Sequence, residues 1–173
     1  MRHRGRGGVT AADMLTSVDD ERHGLRTLLL KNEPALAVIL AGTNDVGHHV
    51  HAGAEPIFQA LCGLHGVAHL LGVPTVAVGI PPSGYQAAVP AAAAVAADAN
   101  GKLRAWCEAR PDTCAYVDHP VSPFTRGGAY WSPDTLHLSP EGYRHVGREL
   151  ADVVADRLRR IAAAAPELSP LKM

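Results

Sequence analysis

The chain carries almost no excess of charge of either sign: 16 Lys and Arg stand against 17 Asp and Glu, for a formal net charge of -1. A surface so balanced has no global field with which to hold a polyanion or an anionic membrane, so nucleic acid is not an expected partner. Long hydrophobic runs are missing too. The longest, Ala35 to Ala41 and Ala91 to Ala97, fall well short of the ~20 residues a membrane helix needs, and no membrane span is expected. The basic start Met1-Arg2-His3-Arg4-Gly5-Arg6 has no apolar run behind it and does not read as a secretory signal, so the localisation stays unknown. Cysteine is scarce: an odd count of 3 cannot all pair within one chain. No Cys-x-x-Cys spacing suggests zinc or redox chemistry. Free buried thiols are the expectation, although Cys107 and Cys114 flank a helix-to-strand turn across which a local disulfide is conceivable. No internal repeat is present, and the alanine tract from Ala91 reads as helix, not linker.

What the chain does have is the material of a single core. With 173 residues, 47% of them hydrophobic and 19% charged, it sits close to the globular average and has length for one domain, expected over residues 1–162 with 163–173 as a frayed tail. Ala35 to Ala41 is a continuous apolar run ending at Gly42, Pro74 to Ile80 repeats the pattern before Pro81-Pro82, and Cys114 to Asp118 is a shorter third. Runs of this kind read as strands buried on both faces. The intervals between them are long enough for helices: Thr10 to Lys31 with an interruption around His23-Gly24, Ile57 to Leu71, and Ala87 to Arg110. A last helix starts at Ser139 as N-cap with Pro140 in the first turn, and Tyr143, Val146, Leu150, Val153, Val154, Leu158 and Ile161 form its apolar stripe. Strands alternating with helices predict parallel pairing and an α/β layer fold.

In open parallel sheets, ligands bind outside the carboxyl ends of the strands. There the sequence places Gly42-Thr43-Asn44-Asp45 after the first strand, Pro81-Pro82-Ser83-Gly84-Tyr85 after the second, and Asp134-Thr135-Leu136-His137 beyond the third. Asp134 and His137 are one turn apart, a spacing that lets a carboxylate orient an imidazole and stabilise the imidazolium formed when it takes a proton. Asn44 has a side-chain N–H to offer a developing oxyanion. A capping turn and an Asx-turn would use the same residues without chemistry. Asp118-His119-Pro120 ends the third strand at the same rim, and Tyr85, Phe124, Tyr130 and Trp131 are loop aromatics that suit either the wall of a pocket or simple packing. Histidines also recur as His48-His49-x-His51 and as His65 and His69. The first group lacks a carboxylate or cysteine to complete a metal set. The second lacks the glutamate of the metalloprotease motif and reads as surface or partly buried. No metal or other cofactor is expected.

Two strings together resemble a known family. Ala41-Gly42-Thr43-Asn44-Asp45 after a hydrophobic strand, and Asp134-Thr135-Leu136-His137-Leu138-Ser139-Pro140-Glu141-Gly142-Tyr143, are similar to the third and fifth sequence blocks of the SGNH (GDSL-type) hydrolases. Gly5-Arg6-Gly7-Gly8-Val9-Thr10-Ala11-Ala12-Asp13 resembles the second block, with Gly7 where serine is common. The resemblance implies a flavodoxin-like three-layer α/β/α sandwich and metal-free hydrolysis of small-molecule carboxylic esters. His137, Asp134, Asn44 and Gly8 would be catalytic, and Ser83, Tyr85 and Asp45 would lie on the substrate side. The departure is at the front, where the family's Gly-Asp-Ser block, with the nucleophile, has no counterpart ahead of Gly5. Ser83 alone among the serines follows a strand on the right rim, in a setting that is no strained nucleophile elbow. The expectation is therefore an N-terminally truncated sandwich with about three strands visible, inactive as it stands, or alternatively a catalytically dead binding module. A missing strand would leave Leu36 to Leu40 as a hydrophobic edge open to self-association.

Overall fold

Three short apolar segments pair in parallel in the computed structural model, which describes residues 5, 7–48 and 50–164: Ala37–Ile39 (β1), Thr75–Val78 (β2) and Cys114–Val117 (β3). They form one open sheet in the order β1-β2-β3, with Ala37 beside Thr75 and Thr75 beside Cys114. β2 is central and buried at all four positions, as its unbroken Thr-Val-Ala-Val run demands. β1 is shorter than the apolar run that contains it, because it has only β2 to pair with and Gly42 turns the chain just beyond it. Gly42 has φ +103°, and a Cβ there would sit 2.7 Å from Ile80 Cδ1, so both backbone and packing require glycine.

Seven α-helices connect and cover the strands among the described residues: Ala11–Thr16 (α1), Leu25–Asn32 (α2), Thr43–His48 (α3), Ala54–Leu70 (α4), Gly84–Ala88 (α5), Pro90–Glu108 (α6) and Pro140–Ala164 (α7). α4 packs on β1 and β2 and α6 on β3, and the two helices pack on each other. The alanine tract explains their close fit. Ala92, Ala96 and Ala99 recur at four and three residues on the buried face of α6, in one cluster with Ile57, Leu61 and Leu64 of α4. α7 is held differently. Val146 joins Val121 and Trp131 in a small satellite cluster, and the buried Arg157 guanidinium donates from Nη1 to Pro111 O at 2.6 Å and from Nη2 to Asp112 O.

Three boundaries differ from the sequence expectation. The first helical stretch breaks at Ser17, ahead of Gly24, which caps α2. The segment expected as one helix from Ala87 to Arg110 is two, because Val89 is extended (φ -124°, ψ 95°) before Pro90, as a residue preceding proline prefers, and Pro90 opens α6. Gly42-Thr43-Asn44-Asp45, expected as a turn, opens the short helix α3, with Val46 N–H donating to Gly42 O at 3.1 Å. Residues 165–173 of the expected tail lie outside the described residues, as do Met1 to Arg4, Arg6 and His49.

Candidate active site

The Asp134–His137 turn is built by its flanks. Ser132 N–H donates to His137 O at 2.9 Å, Thr135 N–H to Ser132 O at 3.0 Å, and Trp131 and Leu138 form an antiparallel bridge, so the two reactive side chains sit at the tip of a closed loop. Thr135 has φ +61°, a left-handed conformation costly for a β-branched residue. Its carbonyl is held by Gly84 N–H at 2.8 Å, which ties the turn to the loop after β2.

Within the turn, Asp134 Oδ1 accepts the N–H groups of Leu136 and His137 at 3.0 and 2.9 Å, and Oδ2 lies 2.7 Å from His137 Nδ1. The bond to the His137 ring, followed by those two backbone donors, pulls the Asp134 carboxyl down to about 2. An ionised carboxylate only accepts, so Nδ1 carries the hydrogen and Nε2 of the neutral ring keeps its lone pair. That is the tautomer a general base needs.

On the opposite wall, α3 presents Asn44 and Asp45 to the N-terminal segment. Asn44 Nδ2 donates to Val9 O at 2.8 Å, and Asp45 Oδ2 accepts the buried Ala11 N–H at 2.8 Å. Thr10 caps α1 in a reciprocal box, its hydroxyl accepting Asp13 N–H at 3.0 Å and Asp13 Oδ2 accepting Thr10 N–H at 2.9 Å. Between these fixed points Gly8 takes φ +76°, which glycine adopts at no steric cost.

Gly8, Asn44 and His137 line one cavity of about 220 Å³, together with Leu40, His119 and Trp131. Asp134 stands behind His137. His119 is buried, and burial pushes its imidazole down to about 4, while its Nδ1 accepts Val121 N–H at 3.4 Å. Thr43, Leu136 and Leu138, inside the two motif strings, and Pro81, from the loop after the second strand, also line the cavity.

The three residues expected on the substrate side do not line it. Asp45 is 2% exposed and holds Ala11 N–H. Ser83 is 3% exposed and its Oγ accepts Gln86 N–H at 3.3 Å as the N-cap of α5, which also removes it as a substitute nucleophile. Tyr85, in the first turn of α5, is 42% exposed. Gly84 instead buttresses the Asp134–His137 turn from outside, through its N–H to Thr135 O. Among the remaining histidines, His48 is exposed and His51 lies in the 3-10 turn Val50–Ala52. His65 differs from the surface or partly buried position expected of it: it is 0% exposed, while His69 is half-buried. All three cysteines are free, and Cys107 and Cys114 are buried with their sulfurs 2.9 Å apart.

An open parallel sheet whose carboxyl-edge loops border one cavity, with helices α4 and α6 packed on its strands, is an α/β layer fold with its crevice where such sheets bind ligands. The chain belongs to the GDSL-like Lipase/Acylhydrolase family, which matches residues 2–145. Solved structures with the same fold include a GDSL-like lipase from Bacteroides thetaiotaomicron, at 19% identity and TM-score 0.71 over 88% of this chain and 74% of that one. A carbohydrate esterase of family 3 from Talaromyces cellulolyticus aligns at 16% identity and TM-score 0.70, over 91% of this chain and 72% of that one. An acetyl esterase holding an acetate ion gives 16% identity and TM-score 0.71, over 92% and 72%. Among curated proteins, none matches the chain.

Proposed function

We propose that the Gly8–Asn44–His137 cavity is an ester-hydrolysis site of Ser-His-Asp type, acting on small acyl or acetyl esters with a nucleophile from a Gly-Asp-Ser block that the 173 residues do not contain. The observation that carries this reading is the convergence of an oriented imidazole, a side-chain amide and a glycine turn on one cavity. In it, His137 Nε2 takes the serine proton as the hydroxyl attacks the ester carbonyl, and Asp134 stabilises the imidazolium. The tetrahedral oxyanion is received by the Asn44 N–H not committed to Val9 O and by Gly8 N–H, donors worth roughly 3 kcal/mol each where enzymes use them. His137 returns the proton to the leaving alcohol, and water repeats the cycle on the acyl-enzyme. A cavity of about 220 Å³ suits a short acyl group, in keeping with the acetyl and carbohydrate esterases that share the fold.

A second reading, a catalytically dead binding module, is favoured by one observation: no serine is among the described residues lining the cavity. Fluorophosphonate labelling separates the two, because the probe reacts only with a serine activated by a base and an oxyanion hole. The 173-residue chain should not label. A version extended by a strand and Gly-Asp-Ser block should label and hydrolyse short aryl esters, with His137→Ala abolishing both. A folded extended version that stays silent would establish the binding module.

The chain's edge supports a further part of the proposal, self-association. Among the described residues β1 pairs only with β2, and Val38 within it and Leu40 just beyond its end are 37% and 45% exposed. An apolar edge strand of this kind pairs with another copy unless something covers it.

A further inference from the structure

The N-terminal ends of the strands gather a second cluster of reactive groups, away from the cavity just described. Parallel register puts Thr75, the first residue of β2, beside Cys114, the first of β3. His65 and His69 reach the same point from one face of α4, four residues apart, and Cys107 reaches it from the last turn of α6. One ligand atom from each of His65, His69 and Cys114 lies within 4.8 Å of the others, and Cys107 Sγ is 2.9 Å from Cys114 Sγ. The cluster stands a strand's length, roughly 13 Å, from the carboxyl edge.

We propose that His65, His69, Cys107 and Cys114 form a structural site for a soft, tetrahedral d¹⁰ cation, Zn²⁺ above all. Two imidazoles and two thiolates are the donor set such an ion selects, and two thiolates cancel its charge, so the assembled site is neutral in a buried setting where a net charge would be costly. Without an ion the cluster leaves one buried polar atom unmet. The Thr75 hydroxyl lies 2.9 Å from both His65 Nδ1 and His69 Nε2 and 3.3 Å from Cys114 Sγ, with two lone pairs for the rings and its hydrogen for the sulfur, whereas the fully buried His65 has no partner at Nε2. The donor atoms of His65, His69 and Cys114, all within 4.8 Å of one another, are close enough to be neighbouring ligands of one tetrahedral ion. Two zinc thiolates stand about 3.8 Å apart, so ligation requires the sulfurs to separate by less than ~1 Å.

The surroundings provide a second shell and a way in. Thr75 O–H is placed to donate to Cys114 Sγ, and Trp106 stacks on His69 with ring centroids 5.7 Å apart and planes at 6°, fixing the ring. His69 is half-buried, and Cys107 and Cys114 border a separate cavity of about 530 Å³, so an ion reaches the donors without unfolding the chain. Binding releases the thiol protons to solvent and oxidises nothing.

The test uses the full chain, reduced, freed of metal, and titrated with Co²⁺ as spectroscopic probe. One equivalent should produce the sulfur-to-cobalt charge-transfer band and the intense visible bands of tetrahedral cobalt, and Zn²⁺ should displace it. Cys114→Ser should weaken the charge-transfer band and the Cys107→Ser, Cys114→Ser double variant should abolish it, His69→Ala at the accessible rim should weaken binding at least about tenfold, and Cys62→Ser should change nothing. Should Cys114→Ser fail to fold, the wild-type spectrum and His69→Ala still decide. Cobalt uptake with no sulfur band would place the ion on surface histidines and overturn the proposal. So would recovery of Cys107 and Cys114 as a disulfide whose reduction yields no metal uptake, or binding that His69→Ala leaves intact.

Discussion

Asn44 and Asp45 are neighbours in one turn of helix, yet one lines the cavity and the other holds the wall up. The division follows from direction: side chains one residue apart on a helix point about 100° away from each other, so only one can face the cavity. The motif string identified both residues, but it could not show that the Asp45 carboxylate is consumed by Ala11 N–H, a partner 34 positions away. Asp45→Ala should therefore cost about 1–3 kcal/mol in urea unfolding, because a buried N–H loses its acceptor. Asp45→Asn, which keeps an acceptor oxygen, should recover most of that, and equal losses in the two variants would show that Ala11 is not what the carboxylate serves. His119 makes a different residue-scale prediction. Burial holds its pKa near 4, below the unfolded value near 6.5, so the unfolded chain binds the proton first as pH falls. The stability it confers is complete above pH 6.5, declines between 6.5 and about 4 with a slope of at most about 1.4 kcal/mol per pH unit, and is flat below. Asp134, held down to about 2, loses its contribution only below that window, from its unfolded value near 3.8 downward. His69 is also lowered by burial and acts in the same direction as His119, so the informative quantity is the difference between wild type and His119→Gln. Urea midpoints at pH 7 and 4.5 should differ less in the variant, and equal slopes would remove His119 from the account.

At the scale of elements, α7 and the Asp134–His137 turn are joined through one residue. Ser139 Oγ accepts Gly142 N–H at 3.0 Å at the start of α7 and donates to Ala129 O, while Ser139 N–H donates to Tyr130 O at 2.9 Å, two residues beyond His137. The N-cap thus clamps the helix to the base of the Asp134–His137 loop. Ser139→Ala should destabilise the protein by about 1 kcal/mol in denaturant titrations and also disturb His137, seen as a shift of its imidazole proton resonances. A stability loss with the resonances unmoved would mean the cap serves the helix alone. This cap was legible because Ser-Pro-Glu before an apolar stripe is a local signal. The three strands were legible for a similar reason, since segments with covered faces need continuous hydrophobicity. What escaped notice was set by single backbone events: Val89 forced into extended conformation by Pro90, and Gly42 turning directly into α3 with no loop between. No period in the side chains records either.

For the whole molecule, the edges of the sheet decide what was readable. Residues at the carboxyl edge could be assembled from the sequence because the position of a binding crevice follows from parallel topology alone. The opposite edge could not: His65, His69, Cys107 and Cys114 come from three elements, and their meeting depends on the register that sets Thr75 beside Cys114. Spacing along the chain shows only two separate pairs, His65 with His69 and Cys107 with Cys114, and nothing that joins them. The lateral edge is a third case, since among the described residues β1 has a strand on one side only and exposes Val38. An unpaired strand offers a row of N–H and C=O groups beside apolar side chains, and a second copy satisfies both at once. Sedimentation velocity should therefore show the 173-residue chain associating as its concentration rises. Val38→Lys places a charge on the exposed face, where desolvating it opposes pairing while the monomer keeps it in water, so that variant should sediment as monomer with an unchanged far-ultraviolet circular dichroism spectrum. A wild-type chain that stays monomeric at high concentration would show that β1 is protected by something other than a partner, and association that survives Val38→Lys would move the contact to another face of the molecule.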